Sequence, residues 1–262
     1  MKRINYFPII LLFVVSCTQV KDIAYLQQAN QGLSTVNQGV YAAKIKPGDL
    51  LYISIISSEP EASRRFNLMT PYTTGIIGGE QETIQNYLVE NDGTIKLPVL
   101  GTIEASDLTT AELKTLIEEN LSTYFSGEIP VITIRITNYS VNILGEVNTP
   151  GKHYSTNERL TIFEGLALAN DMTIFGKRDN VKVLRENENG EVDIYTLNLS
   201  DSRVFNSPAF FLQQNDVVYV EPNQSRANSS RYGAAENYRV TTLSMLVSVA
   251  TMVVTIFGVT RR

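Results

Sequence analysis

Two apolar stretches at the extremities of the chain constrain its architecture more than anything between them. Phe7 to Val15 is one, ending in Val14-Val15-Ser16-Cys17, and Val240 to Val259 is the other, followed by Thr260, Arg261 and Arg262. Neither can be folded away as an ordinary core element without leaving a polar middle of about 220 residues to supply its own core. The first run is too short to span a bilayer and follows a positive pair, Lys2 and Arg3, so it reads as a secretory signal over residues 1–16. The second carries no charge and is about 20 residues long, enough for a helix to cross a hydrocarbon layer. Together they point to an envelope protein.

Ser16 before Cys17, after two aliphatic residues, resembles the lipobox of bacterial lipoproteins. The resemblance implies cleavage before Cys17 and acylation of its thiol and of the new N-terminus. Several acyl chains, each burying methylenes at about 0.8 kcal/mol apiece, would hold the protein to a membrane. Cys17 is the single cysteine, so a disulfide within the chain is excluded. The formal net charge is -5, and loss of Lys2 and Arg3 makes the mature chain more acidic. No nucleic acid is expected as a partner.

In the C-terminal segment the hydroxyl residues recur with helical spacing. Thr241, Ser244, Ser248, Thr251 and Thr255 fall on one stripe, while Leu243, Leu246, Val247, Val249, Val253, Val254, Ile256 and Phe257 cover the rest. Small residues allow close helix packing inside a membrane. A symmetric ring of such helices could instead turn its stripes to a water-filled lumen. Both remain open from the segment alone, as does a plain tail anchor.

The middle reads as two α+β units. In the first, residues 43–138, Lys46-Pro47-Gly48-Asp49 is a turn leading into the β-rich run Leu50 to Ile56. Glu59 to Gln85 has no sustained period and reads as a long loop, with Gly75 to Gly79 as a flexible tip. Tyr87 to Glu90 and Thr94 to Leu97 read as a hairpin around Asp92-Gly93. Thr109 and Glu112 form a capping box before a helix with Leu113, Leu116, Ile117, Leu121 and Tyr124 on one face. Val131 to Thr137 alternates as a strand.

The second unit, residues 139–222, opens on a strand broken at Gly145 and the turn Asn148 to Gly151 through Pro150. A second capping box at Thr161 and Glu164 starts a short helix. Val181 to Arg185 and Val192 to Leu197 flank Glu188-Asn189-Gly190 as a hairpin, and Leu212 to Pro222 closes the unit. Strands, one helix, then strands describe a β-grasp type of unit. Residues 17–42 form the tether, 223–238 read as a polar linker, and 239–260 as a transmembrane helix. Lys46-Pro-Gly-Asp-Leu-Leu-Tyr-Ile53 and Gln214-Asn-Asp-Val-Val-Tyr-Val220 also share a faint internal echo.

Lys46-Pro47-Gly48-Asp49 with its strand, Asp92-Gly93 through Pro98, and Gly101 resemble the polysaccharide export domain of Wza-type outer-membrane export proteins. Gly145 to Gly151, the Thr161 helix, and Asn215 to Val220 resemble the soluble-ligand-binding (SLBB) β-grasp domain that follows it in that family. The resemblance implies a lipid-anchored homo-oligomeric ring in the outer membrane, with periplasmic domains around a cavity and C-terminal helices forming the exit. It implies a polysaccharide chain as cargo and an inner-membrane co-polymerase or tyrosine kinase as partner. On that reading the hydroxyl stripe lines the lumen, wetting the wall without gripping a moving sugar chain. Two departures stand out. Asn170-Asp171-Met172 occupies the place of a Gly-Gly pair common in the β-grasp family, and one β-grasp unit fits where larger members carry two.

No catalysis, cofactor or metal is expected. His153 is the single histidine, so no histidine-based triad can be assembled unless it serves, no Ser sits in a nucleophile-elbow pattern, and a usual zinc site lacks the several His or Cys ligands it needs. Glu118-Glu119 reads as a solvated helix face, and Gly75-Ile-Ile-Gly-Gly79 lacks the lysine of a phosphate loop. The alternative to an exporter is a membrane-anchored lipoprotein that binds glycan or a partner without forming a pore.

Overall fold

A computed structural model describes residues 24–27, 41–73, 80–125, 127–187, 189–231 and 234–260. The lipobox and Cys17 lie outside the described residues, as do Gly75 to Gly79.

The first unit is organised on β1 (Leu50–Ile56), the central strand of a three-stranded sheet. After β1 comes α1 (Pro60–Arg64), then β2 (Met69–Thr73) paired antiparallel with β3 (Glu80–Ile84). The stretch expected as one long loop is therefore a helical turn and a hairpin. Burial accounts for part of the difference. Phe66 is fully buried against Tyr124 and Phe125, and the Asn67 amide brackets the Ile55 backbone, accepting from Ile55 N at 2.9 Å and donating to Ile55 O at 2.8 Å. Tertiary packing of this kind leaves no periodic trace in a polar sequence.

β4 (Asn86–Leu88) pairs antiparallel with β1, while β5 (Thr94–Leu97) pairs with β6 (Gly101–Glu104). The Asp92-Gly93 turn closes as expected, with Glu90 N donating to Thr94 O at 2.8 Å, but the strands on either side then separate. The expected hairpin is thus a turn between strands of two different sheets. Tyr87 is drawn into the core and its hydroxyl accepts from Leu68 N, which favours β1 as the partner of β4. α2 (Thr110–Leu121) begins at the Thr109–Glu112 capping box and buries Leu113, Ile117 and Leu121. It ends at Leu121, so Tyr124 lies beyond it. β7 (Val131–Ile136) alternates as the sequence requires, burying Ile132, Ile134 and Ile136, and pairs with the other edge of β1.

The second unit is built on a five-stranded sheet in the order β12-β11-β14-β8-β9. Its members are β8 (Ser140–Gly145), β9 (Gly151–Tyr154), β11 (Gly176–Glu186), β12 (Val192–Leu197) and β14 (Val217–Pro222). All neighbours are antiparallel except β14 and β8, which run parallel. β10 (Leu160–Thr161) pairs with β13 (Phe211–Leu212). Between them α3 (Ile162–Leu168) starts at the Thr161–Glu164 capping box and buries Ile162, Gly165 and Leu166. Val141, Ile143, Val181, Val183, Val218 and Val220 supply the sheet's buried face. Gly145 requires glycine twice over: its φ is +92°, and a Cβ there would lie 2.0 Å from the Val220 carbonyl oxygen.

The expected linker is helical. α4 (Gln224–Arg231) is capped by Asn223, whose Oδ1 accepts from Arg226 N at 3.0 Å. α5 (Ala234–Thr260) follows and is 27 residues long. The C-terminal stretch is helical as expected, but the expected membrane span is not supported: among the described residues no helix is long and apolar enough to cross a membrane. Helices and mostly antiparallel sheets make this a mixed α and β protein.

Candidate functional site

The two units meet at a pair of matching turns. In Lys46-Pro47-Gly48-Asp49, Asp49 N donates to Lys46 O at 3.1 Å, and Lys46 N donates to Asp49 Oδ2 at 2.9 Å. In Gln213-Gln214-Asn215-Asp216, Asp216 N donates to Gln213 O at 3.1 Å, and Gln213 N donates to Asp216 Oδ2 at 2.8 Å. The third residue of each turn is left-handed, Gly48 at φ +87° and Asn215 at φ +66°. Gly, and less readily Asn, is suited to that position. Each turn feeds a strand, β1 or β14. The sequence echo is a shared local structure.

Asn138, at the junction, ties the turns together. Its Oδ1 accepts from Leu50 N at 2.9 Å, its Nδ2 donates to Gly48 O at 3.1 Å, and its carbonyl accepts from Gln214 Nε2 at 3.1 Å. Lys46 Nζ donates to Gln213 Oε1 at 3.0 Å, and Glu158 accepts from Ile136 N and Thr110 Oγ1. Tyr41 stacks on Phe211 with centroids 4.6 Å apart. So many short bonds between two units make a stiff joint, not a flexible link.

The two aspartates differ in charge environment. Asp216 is buried with Arg185, which contacts both carboxylate oxygens and donates to Phe211 O and Pro208 O. Burial would lower the Arg185 pKa, but the bond to Asp216 raises it overall. Asp49 has no such cation in contact, and burial pushes its carboxyl up to about 6 despite the bond from Lys46 N.

At the far end of β14, Glu221 accepts from Lys177, Lys182 and Asn180, which hold its carboxyl down at about 2. Arg226 of α4 bonds Glu146 Oε1 at 3.0 Å and lies over Phe175, and Asn223 N donates to Phe175 O. These contacts seat the start of α4 against the second unit.

In α5, every described side chain from Thr241 to Val253 is exposed. Leu243, Met245, Leu246, Val247, Val249 and Met252 are each more than half exposed. The hydroxyls turn inward along the helix: Ser244 Oγ donates to Thr241 O, Ser248 Oγ to Ser244 O, and Thr251 Oγ1 to Val247 O. Their donors are satisfied by their own helix, so the stripe presents mainly acceptor lone pairs. The side chain of Thr255 lies outside the described residues.

Of the turn residues singled out from sequence, Pro47, Gly48 and Asp49 join Asn215 and Asp216 at the junction. Asp92 and Gly93 form the turn between β4 and β5, where a Cβ on Gly93 would meet Ser106 Cβ at 2.7 Å. Gly145, Pro150 and Gly151 belong to the β8–β9 connection. Sequence reading missed Asn138 and the joining roles of Gln214 and Arg185, since a buried polar joint follows no period. The only histidine, His153, has Nε2 2.8 Å from Thr149 O, and among the described residues no cluster of metal-ligating side chains forms.

The described residues thus present a twin-turn joint between the two units and an exposed apolar helix beyond the core. Residues 37–137 match the family described as polysaccharide biosynthesis/export protein. The match runs through the Lys46 turn, the β1 sheet and α2 to the end of β7. It supports a role in the export or biosynthesis of polysaccharide.

Proposed function

We propose that the protein is a non-catalytic outer-membrane lipoprotein whose copies assemble into a ring that passes capsular or extracellular polysaccharide. Cys17 is the lipid anchor, the export and β-grasp (SLBB) units stand in the periplasm, and α5 is one stave of the exit. The observation that carries this reading is α5 itself, together with the matched export domain. An exposed apolar surface of this extent is a docking surface, not an ordinary monomer face. Its one polar stripe is what a symmetric assembly needs: apolar flanks meet neighbouring copies and lipid, and the stripes meet water. The internally bonded hydroxyls suit a wall that wets a sugar chain without holding it. An inner-membrane co-polymerase or tyrosine kinase is the partner that delivers the chain.

Replacing Ser248 and Thr251 together by leucine tests the lumen. Loss of polymer secretion with normal protein level and assembly is expected. Secretion at the wild-type rate would make the stripe a packing face and leave the alternative, an anchored glycan- or partner-binding lipoprotein, as the better reading.

A further inference from the structure

Ala24–Gln27, near the N-terminus, pack against the second unit rather than the first. The Tyr25 ring meets Phe163 edge-on at 5.7 Å and lies 5.6 Å from the Arg178 guanidinium. Its hydroxyl donates to Asp171 Oδ1, and Leu26 N donates to Leu199 O at 3.0 Å. Arg178 is itself buried and fixed, donating to Thr173 O at 2.8 Å and Gly176 O at 2.9 Å. The receiving surface thus comes from α3, the turn after it, the start of β11 and the residues after β12.

That turn is costly for its sequence. Asn170 and Asp171 are consecutive left-handed residues, at φ +55° and +71°, a conformation glycine adopts freely and other L-residues resist. Asn170 is compensated by its Nδ2 bond to Thr149 Oγ1 at 2.7 Å. Asp171 Oδ1 accepts from Met172 N at 2.6 Å as well as from Tyr25. Glycine at position 171 would relax the backbone but supply no carboxylate for Tyr25. Backbone strain observed at the residue that receives Tyr25 is a pointer to function.

We propose that Ala24–Gln27 is an intrachain latch, seated on a site formed by Phe163, Asp171, Arg178 and Leu199, that fixes the N-terminal tether to the second unit. Its consequence for membrane distance rests on Cys17 being the lipid anchor. With the latch seated, Cys17 can reach no more than about 28 Å from Tyr25, at roughly 3.5 Å per residue fully extended. With it open, the next described contact is Tyr41 on Phe211, and the limit grows to about 85 Å. The same loop receives the start of α4 through Phe175. Both membrane-directed ends therefore depart from one edge of the second unit, and the lipid is held on a short leash beside α5.

The test is amide hydrogen exchange on the full-length chain in detergent, read at Leu26, in wild type, Tyr25→Ala and Asp171→Gly. Asp171→Gly suits the local backbone, so loss of folding does not confound it. The Leu26 amide should be protected in wild type and exchange about tenfold faster or more in both variants, while β11 and β14 amides keep their rates. Exchange of Leu26 at the unprotected rate in wild type, or unchanged in Asp171→Gly, would overturn the latch. Protection that disappears on dilution would place the segment on a neighbouring copy and overturn it equally. The latch should persist in Cys17→Ser, whereas acylation is read from the mass of the N-terminal peptide, so the two claims fail in separate measurements.

Discussion

Asp49→Asn should make the protein more stable at neutral pH and remove a pH dependence that wild type shows. The Asp49 carboxyl is almost wholly buried and titrates near 6 in the folded chain because burial disfavours its charge. In the unfolded chain it titrates near the ordinary aspartate value of about 3.9. Between those two values the native state holds a proton that the unfolded state has released. Stability conferred by the protonated carboxyl is therefore full below about pH 4 and lost as pH rises to about 6, above which the penalty is constant. About two pH units at 1.36 kcal/mol each give roughly 3 kcal/mol. Asparagine mimics the neutral acid and keeps an acceptor for Lys46 N. The chain has no tryptophan, so urea unfolding of the detergent-solubilised protein is best followed by far-ultraviolet circular dichroism from pH 4 to 7.5. The two proteins should agree near pH 4 and diverge by about 3 kcal/mol at pH 7, with the variant more stable. Asp92, Glu112, Glu128 and Asp201 have lowered pKa values, through bonds from Thr94, Thr109, Ser58 and Arg203. Their stabilisation is lost as pH falls, in both chains, and cancels in the difference. Parallel curves, or a wild type that is the more stable at pH 7, would refute the desolvated-carboxyl argument.

Other positions are expected to respond through different physics. Gly145→Ala drives a Cβ into the Val220 carbonyl at a positive φ and should cost at least about 3 kcal/mol, read as a lowered melting temperature. Asp216→Ala leaves Arg185 buried without its carboxylate and should cost about 3–5 kcal/mol in urea unfolding, while Asp216→Leu with Arg185→Met should cost much less. Thr161→Ala removes one half of a capping box seen in full and should cost about 1 kcal/mol by the same assay.

The sequence was most legible where local chemistry decides structure. Both capping boxes form, β7 alternates as Val131 to Ile136 require, and β11 pairs with β12 across the Gly190 turn. The Asp92-Gly93 turn was also readable, but its strands were not assigned correctly, because partner choice depends on burying Tyr87 and not on the turn. The hairpin within the supposed loop and the helix within the supposed linker were hidden for a related reason. Met69–Thr73 and Gln224–Arg231 are polar or mixed and carry no clear period, although the first pairs with the nearby Glu80–Ile84 and the second is held by Glu146 through Arg226. At the candidate site, Pro47, Gly48, Asp49 and the echo around Asp216 were visible as turns. What joins them, Asn138 and Gln214, was not, since a single buried amide follows no period. Asn170-Asp171 stood out as a departure from glycine, and the contact that explains it comes from Tyr25, 146 residues away.

The central claim is that copies of this chain surround a passage for polysaccharide. Electron microscopy of the full-length, detergent-purified protein tests it most directly. The account predicts closed rings with a central opening, their narrow end formed by the α5 helices. A monodisperse population of single copies under the same conditions would contradict it.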